Sequence, residues 1–214
     1  MIILAGVMGA GKTTYSKRLA QALGSEVFLE SVSDNPILEK FYENPKRYAF
    51  ALQLHFLNTR FRSMKQAYQG TCNVLDRTIY EDQIFTWNNV EKGNISKEEW
   101  AIYCQLVDHM IQELQQIPKK SPDLLVYLDV SFEHELANIK KRGREFEQVE
   151  SDPTLVTYYR NLYDKYQEWI ENYTTSAKLI IPADHYDIEK PADWEEVLGM
   201  ITSALEKLEV AVAP

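Results

Sequence analysis

The sequence predicts an α/β fold: a parallel sheet covered by helices on both faces. Two observations carry that expectation. Short apolar runs alternate along the chain with longer segments of helical periodicity. The runs are apolar throughout, as strands buried on both faces must be. A third observation fixes the first unit, where Ile2–Ala5 runs into a glycine-rich turn and a helix, "IILAGVMGAGKTTYSKRLA".

The elements follow in order. Ile2–Ala5 reads as a strand and Lys12–Leu23 as its helix. Glu26–Glu30 is a second strand. A mostly helical stretch runs from Ile37 to Gln69, interrupted near Asn44-Pro45. Asn73–Asp76 is a third strand, followed by helices around Tyr80–Val90 and Lys97–Gln116. "DLLVYLDV", Asp123–Val130, is the clearest strand in the chain. Helical patterns resume at Phe132–Lys141 and Thr154–Tyr173, before a strand at Lys178–Ile181 and a helix near Ala192–Leu208. No repeat, low-complexity tract or linker interrupts the pattern, so residues 1–214 read as one domain.

The totals exclude several functions. The chain has 214 residues, 45% hydrophobic and 26% charged, enough to bury a real core. Its 23 basic and 32 acidic residues leave a formal charge of −9, which argues against general binding to nucleic acid or to an anionic membrane. Cys72 and Cys104, the two cysteines, form no metal-ligand spacing or disulfide framework, which fits a reducing compartment. No apolar run approaches a membrane span and no charged leader precedes an apolar stretch. The expectation is a cytoplasmic protein.

Gly6-Val7-Met8-Gly9-Ala10-Gly11-Lys12-Thr13 fits G-x-x-x-x-G-K-[ST] at every fixed position, with Thr14 beside it. The glycines let successive N–H groups turn inward onto phosphate oxygens, and the following helix adds the positive end of its dipole. Lys12 would reach the β- and γ-phosphates, and the Thr13 hydroxyl would ligate Mg²⁺. This is a nucleotide site, but switches, motors and kinases share such a loop.

Four further stretches narrow the choice: "FLESVSDNPILEKFYENPKRYAFALQLHFLNTRFR", "LDRTIYED", "KKRGREFEQ" and "IPADHYDIE". Together with the loop, in this order and at these separations, the chain resembles the deoxynucleoside kinases, in particular the deoxyadenosine and deoxyguanosine kinases of lactobacilli. The resemblance covers nearly the whole chain. It implies a P-loop kinase-like three-layer fold with a five-stranded parallel sheet, a short arginine-rich lid at about 140–150, and a homodimer built on helices. It also implies transfer of the γ-phosphoryl of ATP, with Mg²⁺, to a deoxynucleoside 5′-hydroxyl.

Residue by residue, Glu30 ends the second strand, at the sheet edge where open α/β folds place their sites. A carboxylate there can take the proton of an attacking hydroxyl, the role the resemblance also assigns it. Asp76 matches the family's acidic residue beside Mg²⁺, and Arg77 the arginine that holds Glu30 and the reacting oxygens. Alone, Lys140–Arg144 is a solvated charge run; in the family this segment closes over the donor phosphates, which singles out Arg142 and Arg144. Asn138 stands where relatives often carry another lid arginine. Glu147 matches the carboxylate that binds the sugar 3′-hydroxyl, with Tyr42 as its partner. Gln53, Arg60 and Asp82 match the readers of the base, with Phe85 and Tyr48 as apolar walls. Phe50, Phe56 and Phe61 read as plain core. Asp184 and Tyr186 follow the last strand, where the family packs against the donor adenine, although Pro182-Ala183 replaces the Asp-Gly of relatives. His185 and the other histidines show no ligand spacing.

The expected substrate is a purine deoxynucleoside, deoxyguanosine before deoxyadenosine, because the planar fork of Arg60 suits the O6 and N7 acceptors of guanine. A broader deoxynucleoside kinase, a nucleoside monophosphate kinase of the thymidylate type and a non-catalytic subunit of the same fold are the alternatives.

Overall fold

The computed structural model describes residues 1–30, 35–70, 72–115 and 122–208. Five strands, β1 (Ile2–Ala5), β2 (Val27–Phe28), β3 (Val74–Asp76), β4 (Leu124–Asp129) and β5 (Ala177–Pro182), form one parallel sheet in the order β2-β3-β1-β4-β5. The centre of the sheet is the driest part of the protein. All four residues of β1 and the first five of β4 are buried, which explains why these two runs carry no polar alternation.

The helices are α1 (Lys12–Leu23), α2 (Leu38–Glu43), α3 (Pro45–Ala67), α4 (Ile79–Glu91), α5 (Lys97–Gln115), α6 (Phe132–Arg142), α7 (Thr154–Asn172) and α8 (Pro191–Lys207). Their ends are written in local chemistry. The break between α2 and α3 falls at Asn44, whose side chain accepts from Arg47 N while Pro45 takes the first helical position. Thr78 and Glu81 form a reciprocal capping box at the start of α4. Ser131 caps α6, and Gly143 ends it in the left-handed conformation at φ +72°, turning the chain into the arginine-rich segment.

Glu30 does not end a strand as the sequence suggests. β2 stops at Phe28, because β3, its one partner among the described residues, is three residues long and pairs with just Val27 and Phe28. Glu30 lies two residues beyond that edge and is aimed by its own ion pairs. Gln116, the expected last residue of α5, lies outside the described residues.

Candidate active site

The loop after β1 wraps where β1, β4 and α6 meet. Gly6 sits at φ +144° and Gly9 at φ +74°. A Cβ on Gly6 would lie 2.9 Å from the Leu128 carbonyl oxygen, and one on Gly9 2.9 Å from that of Glu135. Glycine is therefore required at both positions, for conformation and for close approach. Asn138 Nδ2 donates to the Gly9 carbonyl at 2.8 Å and so ties α6 to the loop.

Lys12 opens α1 and turns back along the loop. Its Nζ donates to the carbonyls of Gly6 (2.9 Å) and Val7 (2.6 Å). Burial, reinforced by the neighbouring Arg77, pulls its pKa down to about 7 against the attraction of Asp76, Glu81 and Glu30. Beside it the Thr13 hydroxyl donates to Asp76 Oδ2 at 2.5 Å, and Asp76 Oδ1 is buried without a hydrogen-bond partner. Burial lifts the Asp76 carboxyl above its usual range, with Lys12 and Thr13 opposing. A hydroxyl and a carboxylate with a spare oxygen form the hard-oxygen pair that Mg²⁺ takes alongside phosphate oxygens. Among the described residues no group of three or more His, Cys, Asp or Glu could hold a metal by itself.

From the loop a cavity of about 650 Å³ runs between α2, α3 and α4 to the segment after α6. Of the residues singled out from the sequence, Lys12, Thr13, Glu30, Tyr42, Gln53, Arg60, Asp76, Arg77, Phe85, Arg142, Arg144 and Glu147 all line it. Lys12 and Glu147, 135 positions apart in sequence, thus converge on one chamber. Gln53 and Arg60 share a face of α3 and are both buried. The Arg60 guanidinium bridges two carboxylates, Glu30 and the fully buried Asp82, and lies 4.8 Å from the Phe56 ring. Phe56 is therefore a cavity wall, not plain core. The 3.6-residue period places it only one turn from Gln53 and Arg60, which was the available signal.

Glu30 receives Arg60 on Oε1 and Arg77 Nε at 3.3 Å on Oε2. Burial would raise its pKa, but the two guanidiniums outweigh burial and hold the carboxyl below its usual range. Arg77 itself has φ +73°, in the left-handed region, with its N–H donating to the Leu4 carbonyl at 3.1 Å. Its side chain is buried, stacks 4.9 Å from the Phe85 ring and meets Glu81 and Tyr166.

At the other end, Glu147 is almost fully buried and joins Arg142 at 2.6 Å and Arg144 at 3.2 Å. Its backbone carbonyl accepts from the Tyr159 hydroxyl at 2.9 Å. Burial, with Tyr159 and Glu147 nearby, pushes the Tyr42 phenol well up, so it stays a neutral donor. Leu38, Phe41, Leu52 and Tyr158 add walls that carried no sequence signal beyond apolarity.

Two expected donor contacts and one wall are not brought to this cavity. Asp184 accepts from Ser131 N at 2.9 Å and pairs with His134 at 2.7 Å at the start of α6. Tyr186 donates to Glu196 at 2.9 Å. Tyr48, on the exposed start of α3, lies under Arg47 instead. A second, open hollow beside α1 is lined by Thr13, Thr14, Lys17, Arg18, Gln21 and Glu189.

A glycine loop at the carboxyl end of a parallel strand, with its lysine and hydroxyl on a helix N-terminus above a deep chamber, defines a nucleotide-binding protein of the P-loop α/β class. The chain belongs to the deoxynucleoside kinase family, whose model matches residues 2–206. It is 47% identical over 209 residues to a deoxyguanosine kinase of Lactobacillus johnsonii, covering 97% of this chain and 93% of the relative. It is 40% identical over 209 residues to a deoxyadenosine kinase of Lactobacillus acidophilus, covering 97% of each. Among solved structures, deoxyadenosine kinase from M. mycoides with bound dATP superposes with a TM-score of 0.78 at 28% identity, over 94% of this chain and 98% of that one. Among the described residues no helix is long and apolar enough to cross a membrane.

Proposed function

We propose that the protein phosphorylates purine deoxynucleosides at the 5′-hydroxyl with ATP as donor, deoxyguanosine before deoxyadenosine. The observation that carries this reading is the position of Glu30. Its carboxylate stands between the phosphate loop and a chamber whose far wall is Gln53, Arg60 and Asp82. The likeness to lactobacillus deoxyguanosine and deoxyadenosine kinases supports it.

In this reading the base enters between α3 and α4, flanked by Phe56 and Phe85. Gln53 turns its amide to suit either purine, while Arg60, steadied by Asp82, donates to O6 and N7 of guanine. Tyr42 and Glu147 hold the sugar 3′-hydroxyl. Glu30 accepts the 5′-hydroxyl proton as the oxygen attacks the γ-phosphorus, and Arg77 keeps the carboxylate aimed. Lys12, Arg142 and Arg144 neutralise the charge that spreads over the transferring group. Gly6, Val7, Met8, Gly9, Ala10, Gly11, Thr13 and Thr14 cradle the donor phosphates. Thr13 and Asp76 would hold Mg²⁺, which would add to the neutralisation of the phosphate oxygens. The hollow beside α1 takes the nucleoside end of the donor, with Glu189, just past Asp184 and Tyr186 in the chain, in its lining. The protein works as a homodimer; Trp87 on α4 and Ile102 on α5, both exposed, support a helical interface.

Initial rates with each of the four deoxynucleosides and ATP–Mg²⁺ test the reading. Polar groups left unpaired by the wrong base cost about 1–3 kcal/mol each, so deoxyguanosine should lead thymidine by tenfold or more. Thymidine ranked above both purines would overturn the purine assignment.

A further inference from the structure

We infer that Glu81 and Tyr166 are positioning residues for the general base, acting through Arg77. The inference rests on the reading of Glu30 as that base.

Glu81 and Tyr166 come from different helices and bond to each other beside Arg77. Glu81 is the third residue of α4 and is fully buried. Its Oε1 accepts from Thr78 N at 3.2 Å, closing the capping box. Its Oε2 accepts from Arg77 Nη1 at 3.2 Å and from the Tyr166 hydroxyl at 2.6 Å. Tyr166, fully buried on α7, also accepts from Arg77 Nη1. A closed triangle of three buried groups therefore grips one end of the guanidinium. The opposite end, Nε, points to Glu30.

A capping box needs only one oxygen of its glutamate. The second oxygen and the tyrosine hydroxyl are spent on Arg77, whose backbone is held at φ +73° against the preference of a side-chain-bearing residue. A conformation of that kind persists where its surroundings over-determine it. The clamp is what fixes the side-chain end: without it, the arginine is free to rotate its Nε away from Glu30 toward Asp76 on β3. Arg77 also meets Lys12 on α1 and Glu135 on α6, while Glu30 faces Arg60 on α3, Lys12 and Asp76. None of these other groups replaces the two contacts that set the direction of the fork.

The consequence is a particular pH signature. Arg77 is one of the three cations, with Arg60 and Lys12, that hold Glu30 ionised, so loosening its aim raises the proton affinity of Glu30. The acidic limb of kcat/KM, which reports the free enzyme, then moves to higher pH.

The test uses Tyr166→Phe, which removes one hydroxyl, and Glu81→Gln, which keeps the shape and the capping acceptor. Profiles of kcat/KM and kcat for deoxyguanosine with ATP–Mg²⁺ are recorded from about pH 3 to about pH 7, which brackets the ordinary glutamate value and the range below it. Both variants should lower kcat roughly tenfold with KM for deoxyguanosine little changed, and should shift the acidic limb upward by about one pH unit. A lower melting temperature with an unmoved limb would mean the triangle is only structural and would overturn the inference. Glu30→Gln is measured beside them. If it keeps near-normal turnover, the base assignment fails and the inference falls with it. If it is inactive while both clamp variants keep the wild-type limb, the inference alone fails.

Discussion

Replacing Lys12 by Met should make the empty protein more stable while abolishing transfer. The ammonium is only 7% exposed, and burial with Arg77 nearby takes its pKa from 10.5 to about 7. At pH 7 the lysine is fully protonated in the unfolded chain and about half protonated in the folded one, a difference worth about 4 kcal/mol against folding. Methionine removes that cost and keeps the length and apolar bulk. It also removes the bonds to the Gly6 and Val7 carbonyls, each worth about 1 kcal/mol. The net gain is about 2 kcal/mol, or roughly 4–8 °C in melting temperature for a chain of this size. The sign with pH follows from proton counting. Between about pH 7 and 10.5 the unfolded chain binds more protons than the folded one, so wild-type stability rises with pH and the advantage of methionine shrinks. Thermal unfolding without nucleotide, from pH 7 to pH 9, reads both features, and transfer to deoxyguanosine is measured in parallel. A methionine variant less stable than wild type at pH 7, by an amount that does not change with pH, would refute the reasoning.

Two further expectations follow from the same geometry. Arg142→Ala and Arg144→Ala should lower kcat at least tenfold while changing deoxyguanosine affinity less, because in the proposed mechanism these arginines act on charge that develops late; steady-state kinetics and nucleoside titration separate the two effects. Gly9→Ala places a Cβ 2.9 Å from the Glu135 carbonyl at φ +74°, and the left-handed strain alone costs about 1–2 kcal/mol. It should lower the melting temperature by several degrees and weaken ATP binding, as thermal unfolding and nucleotide titration would register.

The fold was legible wherever a single physical signal governed. β1 and β4 read as strands because both their faces are buried, and α3 started at Pro45 because Asn44 and the proline cap it. β2 was overdrawn because its length depends on the three residues of its partner, paired 47 positions further along the chain. In the site, the loop and the residues matched by motif converged on one chamber. Asp184 and Tyr186 did not, because Asp184 is engaged by Ser131 and His134 and Tyr186 by Glu196. The clamp on Arg77 was half visible. Thr78-x-x-Glu81 carries the capping-box pattern, but nothing in the sequence shows that the second Glu81 oxygen meets a tyrosine 85 residues away. Phe56 was misread because an aromatic at helical spacing looks the same whether it faces core or cavity.

The central claim is that Glu30 removes the proton of the attacking hydroxyl. Glu30→Gln keeps the shape and the hydrogen-bonding reach toward Arg60 and Arg77 but cannot take that proton. The direct measurement is single-turnover transfer from ATP to deoxyguanosine, with deoxyguanosine affinity measured separately on the same variant. The account predicts a loss of about 10²-fold or more in transfer with nucleoside binding retained. Transfer at a near-normal rate would contradict it and leave Glu30 as a structural partner of Arg60 and Arg77.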